Sequence, residues 1–130
     1  EIPLRLVGSE MCIRDRYMID VTLFQNDSGD YIGFRMTGHA EYAEYGSDIV
    51  CAAVSVLVIN AMNSVEKFTD DEFEGAVHEE KDVVSFDIKS EKVSESAKLL
   101  LDSLVLGLEG IQAEYGKKYI KIRKKRKQEV

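Results

Sequence analysis

The sequence has no tryptophan, one proline (Pro3) and two cysteines, Cys12 and Cys51. One proline excludes a proline-rich linker or recognition arm. Two cysteines are too few for a disulfide framework, and neither belongs to a CxxC pair. That scarcity argues for a reducing compartment, so a cytoplasmic location is expected. No run of 18 apolar residues occurs, so no membrane-spanning helix is expected. There is no GxGxxG and no Walker A sequence, hence no fingerprint of a nucleotide cofactor. The two histidines, His39 and His78, have no partners at zinc-ligand spacing. Neither a metal nor any other cofactor is expected.

What is present describes one folded domain. The chain has 130 residues, 45% of them hydrophobic and 32% charged, enough to bury a core without staples. Its net charge of −7 hides a strong asymmetry. Residues 117–130 hold eight Lys or Arg against one Glu, whereas residues 18–116 hold 20 acids against six bases. An acidic body attracts basic partners, and a basic end does the reverse.

Residues 1–17 show no sustained period and lack the apolar run and cleavage site of a signal peptide. SEMCIRDR resembles translated sequencing-adapter read-through. A non-native or disordered leader is therefore expected over 1–17, with a native start at Met18. A short native arm is the alternative.

From Met18 the period is two. Ile19, Val21 and Leu23, then Ile32, Phe34 and Met36, predict a hairpin over 18–25 and 31–37, turned at Asn26–Asp30. A polar loop is expected over 38–47. From Asp48 the period becomes helical through Phe68, with Ser47 or Asp48 as N-cap. Phe73, Gly75 and Val77, with Val84, Phe86 and Ile88, predict a second hairpin turning near Glu80-Lys81. Ser94 can cap a helix striped by Ala97, Leu100, Leu101, Leu104, Leu108, Ile111 and Tyr115 and stopped at Gly116. A last short strand is expected over 119–123. The order ββαββαβ predicts an α+β two-layer sandwich, a mainly antiparallel sheet with two helices on one face. The domain is expected over 18–123 and a basic tail over 124–130.

The chemistry-bearing stretch is GHAEYAEYGSDIVCAAVS, residues 38–55. With Asp48 as cap, Cys51 falls in the first helical turn, where the dipole favours a thiolate. On the residues alone it also reads as a small buried hydrophobe on an Ala-rich face. His39 closes a strand and opens the loop back to the helix, so it is either an acid–base partner for Cys51 or an exposed loop histidine. His78 reads as a strand-surface residue.

The pattern Gly-His-Ala followed by Gly-x-Asp-Ile-Val-Cys-Ala-Ala-x-Ser resembles the bacterial ribosomal-processing cysteine protease family, Prp, over residues 18–123. The resemblance implies a thiol endopeptidase with a catalytic dyad of Cys51 as nucleophile and His39 as proton donor. It further implies a homodimer of small subunits. The implied substrate is the precursor of the large-subunit ribosomal protein numbered twenty-seven, whose N-terminal extension is trimmed after a Phe during ribosome assembly.

Around that dyad several readings stay open. Asp48 either caps the helix or orients His39. Ser55 either bonds back to its helix or lines the pocket. Gly38 and Gly46 are hinges or plain turn residues. Glu41, Tyr42, Glu44 and Tyr45 form a substrate loop or an ordinary solvated one. The backbone N–H groups of Cys51 and Ala52 are the expected oxyanion donors. The basic tail is expected to make only weak, non-specific contact with ribosomal RNA, or merely to aid solubility. The alternative function is a non-enzymatic ribosome-associated module that binds a basic ribosomal protein. A redox or acyl-transfer enzyme is a weaker third, for want of a resolving cysteine.

Overall fold

The computed structural model describes residues 17–40, 47–78, 83–117 and 119–127. Seven elements follow one another: β1 (Tyr17–Gln25), β2 (Tyr31–Ala40), α1 (Ser47–Phe68), β3 (Phe73–His78), β4 (Val83–Ile88), α2 (Glu95–Tyr115) and β5 (Ile120–Arg126). The ββαββαβ order is the one expected. The strands form one five-stranded sheet in the order β3-β4-β2-β1-β5. Only the β1–β5 pairing is parallel among the described strands. The remaining pairs are antiparallel, as the two hairpin patterns require.

Period-two burial explains the sheet. Ile19, Val21 and Leu23 alternate inward on β1, and Phe34 and Met36 lie opposite Leu23 and Val21 on β2. Val84, Phe86 and Ile88 extend the same face on β4, and Ile120 on β5. Phe86 stacks on Phe34 with ring centroids 5.3 Å apart, and Phe73 adds a tilted contact at 5.4 Å. Each such side chain contributes about 1.5–3 kcal/mol when fully buried. Truncating Phe86 to Ala would cost about 3–5 kcal/mol.

Both helices cover this face. Cys51, Val54, Val58, Met62 and Val65 of α1 are all buried, as are Leu101, Leu104, Val105 and Leu108 of α2. Other apolar residues of α1 are less covered. Ile49 is 56% exposed and Val56 50%. Over Ile49–Phe68 the helix is long and apolar enough to cross a bilayer, with mean hydropathy 1.8, yet half of that window is buried inside the fold. A core helix packed on more than one side has this composition.

Local signals set the boundaries. The first turn closes on Asn26, whose Oδ1 accepts from the N–H groups of Ser28 and Asp30 at 3.0 Å each. Ser94 caps α2, its hydroxyl accepting from the Ala97 N–H at 3.1 Å. Its own N–H donates to Asp71 Oδ2 at 2.9 Å. Burial pushes the Asp71 carboxyl up, but hydrogen bonds from Ser94 and Thr69 outweigh it and hold the group below its usual range. Gly116 ends α2 at φ 105°, a conformation glycine adopts at little cost.

Three boundaries differ from the sequence reading. β2 runs three residues beyond 37, because Gly38, His39 and Ala40 pair with Ile19, Met18 and Tyr17. The loop expected from Gly38 therefore starts after Ala40. α1 begins at Ser47, so Ser47 and Asp48 are helical residues and neither stands before the helix as its cap. Finally, Lys124, Lys125 and Arg126 belong to β5, not to a tail starting at 124. They pair with Leu23, Phe24 and Gln25 of β1. The Lys127 N–H then donates to the Gln25 carbonyl at 2.8 Å, so backbone pairing carries the strand past the end of its apolar alternation.

Candidate active site

The site expected from the sequence is divided between β2 and the start of α1. His39 is the ninth residue of β2, its backbone paired with Met18. Gly38 precedes it, opposite Ile19. The side chains of His39 and Asp48 lie outside what is described. So do residues 41–46, which include Glu41, Tyr42, Glu44, Tyr45 and Gly46. The Asp48 backbone is the second residue of α1.

Cys51 is the fifth residue of α1 and 2% exposed. Val50 and Val54 beside it are buried in the same core, whereas Ala52 is exposed. This placement changes two expectations. The orphan N–H groups of a helix belong to its first four residues, here Ser47 to Val50. By the i→i−4 rule the Cys51 N–H is directed at the Ser47 carbonyl. The N–H groups of Cys51 and Ala52 are thus committed to the helix ladder and are not the oxyanion donors expected.

The second change concerns the sulfur. Cys51 is disulfide-bonded in this structure. The chain's other cysteine, Cys12, lies outside the described residues. Acting as a nucleophile requires the thiolate, and so requires that bond to be reduced first.

Ser55 lies one turn beyond Cys51 and is 2% exposed. Its hydroxyl has no hydrogen-bond partner among the described residues. A bond back to the helix, one of the two readings of this residue, is therefore not made. A buried hydroxyl without a partner costs about 1–3 kcal/mol.

On the helix-free face of the sheet lies a groove of about 390 Å³, lined by Phe24, Arg35, His78, Val83, Ser85 and Asp87 among others. Sequence reasoning placed His78 on a strand surface, where it is exposed. It singled out neither Arg35 nor Asp87. They converge because β2 and β4 pair in the register Arg35↔Ser85 and Gly33↔Asp87, and nothing local in the sequence announces that pairing. Among the described residues no cluster of His, Cys, Asp or Glu is suited to a metal ion.

Comparison with known proteins places this geometry. The family described as cysteine protease Prp matches residues 18–121. The ribosomal processing cysteine protease Prp of Bacillus subtilis (strain 168) is 31% identical over 101 residues, covering 75% of this chain and 90% of the relative. Its namesake from Staphylococcus aureus (strain Mu50) is 31% identical over 99 residues, covering 75% and 92%. The crystal structure of the S. aureus protease with a covalently linked product peptide superposes with a TM-score of 0.72 at 28% identity. It covers 83% of this chain and all of that one. SMU.848 from Streptococcus mutans gives 0.73 at 28% identity, covering 85% of this chain and 99% of that one. With 104 of its residues matched by the family and its sheet and helices matched in space, the chain belongs to the Prp cysteine proteases.

Proposed function

We propose that this protein is a thiol endopeptidase that trims a ribosomal-protein precursor, with Cys51 as nucleophile and His39 as its acid–base partner. The observation that carries the reading is the position of Cys51, one turn into α1 within the residues the protease family matches.

The chemistry runs in two halves. The Cys51 thiolate attacks the scissile carbonyl carbon, and the carbonyl electron pair moves onto oxygen. Collapse of that intermediate expels the amine, which takes its proton from the His39 imidazolium, leaving a thioester. Water then attacks the thioester, giving its proton to His39. The carboxylic product leaves and the thiolate is restored.

The finer parts of the reading are these. The substrate is the precursor of the large-subunit ribosomal protein numbered twenty-seven, cut after a Phe. An acidic body supports recruitment of such a Lys-rich chain, since complementary charge raises the encounter rate. The enzyme is a cytoplasmic homodimer. Exposed apolar side chains on the helical layer support a dimer, among them Ile49, Val56, Leu99 and Leu106.

Incubation of the reduced protein with that precursor, followed by intact-mass measurement, tests the proposal. Loss of one N-terminal fragment ending in Phe is the expected result. A precursor whose mass is unchanged would overturn the reading.

A further inference from the structure

The strongest charged feature of the molecule is β5. Among the described strands it is an edge, with β1 on one side and none on the other. Lys121, Arg123, Lys124, Lys125 and Arg126 are all exposed on it. Lys124 is engaged: its Nζ lies 3.7 Å from Glu109 Oε2 and 5.8 Å from the centre of the Tyr31 ring. Lys127, just after the strand, is ion-paired to Asp87. Lys121, Arg123, Lys125 and Arg126 form no ion pair among the described residues.

Four cations on one strand with no ion pair among the described residues are unexpected in a chain of net charge −7. A lysine or two on an edge is enough to discourage edge-to-edge strand pairing. A longer row needs another explanation. The sheet also fixes its shape. Lys121, Arg123 and Lys125 are paired in register with Asp20, Thr22 and Phe24, so they share one face of the sheet at about 6.6 Å intervals. From 121 to 125 this row spans about 13 Å, and Arg126 adds a charge from the other face at the end of the strand. It is a line of charge on a rigid support, which suits a linear polyanion better than a plane of lipid headgroups.

We infer that β5 is a docking edge for the phosphate backbone of single-stranded RNA, gripped by Lys121, Arg123, Lys125 and Arg126. RNA is chosen over other polyanions on the strength of the ribosomal reading proposed above. No aromatic side chain follows Tyr119 in the sequence, so base stacking adds nothing there and binding is insensitive to sequence.

Fluorescence anisotropy with a labelled oligouridylate of about 15 nucleotides tests this. Binding should weaken with salt, with a log–log slope of about −3 for four phosphate contacts. The double variant Lys121→Ser/Arg123→Ser should bind at least about fivefold more weakly and lose about 1.4 from the slope. A control pair with the same charge change, Lys67→Ser/Lys92→Ser, should bind like the parent. Thermal melting of each variant checks folding, and the charge-conserving pair Lys121→Arg/Arg123→Lys should retain binding. Equal losses from the strand pair and the control pair would overturn the inference by reducing it to net charge. Tighter binding to anionic phosphatidylserine vesicles than to RNA, dependent on the same strand, would also overturn it. Precursor cleavage followed in parallel keeps this outcome separate: absence of cleavage by the parent would fault the protease reading and leave the anisotropy result standing.

Discussion

Lys127 reaches across the sheet to Asp87, its Nζ lying 2.8 Å from Asp87 Oδ1. Asp87 is on β4, while the Lys127 backbone continues the opposite edge, with β1 and β2 between. Gly33 on β2 is the register partner of Asp87 and leaves the path low. A Cβ at position 33 would come within 2.5 Å of the Phe86 carbonyl oxygen and 2.8 Å of Asp87 Oδ1.

Replacing Gly33 by Ala should therefore destabilise the fold. The carboxylate can move aside, but the Phe86 backbone is held by the sheet. A loss of about 1–3 kcal/mol is expected, read as a lower urea midpoint. Lys127→Ala, by contrast, removes a partly exposed pair and should cost at most about 1 kcal/mol. Equal effects from the two variants would mean that the ion pair, not the close approach, sets the requirement at position 33.

Acid should loosen the join between α2 and the α1–β3 connection. The Asp71 carboxyl is held below its ordinary range in the folded state, where it accepts the Ser94 N–H. Its contribution to stability is fully present above the ordinary aspartate range and is lost as pH falls through the lowered folded value. Asp71→Ala should cost on the order of 1 kcal/mol at neutral pH. The parent and variant should converge in stability once the carboxyl is protonated. Thermal melts from neutral pH down to strongly acid conditions would show this, and a difference that persists in acid would contradict it.

Ser55→Ala removes a buried hydroxyl that has no hydrogen-bond partner among the described residues. Stability should be unchanged or rise, since no hydrogen bond is lost and one desolvated polar group is relieved. If the hydroxyl serves peptide cleavage, kcat should fall while Tm holds. A variant that melts several degrees lower would instead show that Ser55 is a packing residue.

Cys51 and His39 carry the chemical predictions. Reductant should raise activity, because the Cys51 disulfide withholds the nucleophile. Cys51→Ala should abolish cleavage with or without reductant. His39→Ala should slow cleavage by about a hundredfold, the usual worth of a general acid. It should also slow alkylation of reduced Cys51 by iodoacetamide near neutral pH. Unchanged alkylation would show that the helix start alone activates the thiol.

Most of the scaffold was legible because single-residue chemistry governed it. Period-two burial on β1 and β4, the Ser94 cap and the Gly116 stop all act within a few residues. What escaped was decided by pairing between distant segments. His39 reads as the residue between strand and loop, yet it is paired within the strand to Met18, 21 positions away. Lys124 to Arg126 looked like a solvated tail, since a run of cations has no apolar alternation to mark a strand, yet β1 supplies their backbone partners. The start of α1 was misjudged by one residue at Ser47 and two by the Asp48 reading. That small shift removes Cys51 from the group of orphan N–H donors. The motif in residues 38–55 identified the family because it is specific. Composition alone identified nothing beyond a folded domain.

The parallel pairing of β1 with β5 also governs how the molecule is made. Ile19 lies beside Ile120, and its N–H donates to the Tyr119 carbonyl at 3.0 Å. During synthesis, β1 leaves the ribosome roughly 100 residues before its second neighbour. At about 5–20 residues per second that is a wait of about 5–20 s. β1 and β2 can pair at once, but the other side of β1 stays open until the final strand emerges. For that interval the nascent chain offers an unpaired edge bearing Ile19, Val21 and Leu23. Its completion therefore waits on the emergence of β5, and a stall before that point exposes the segment most prone to joining a neighbouring chain.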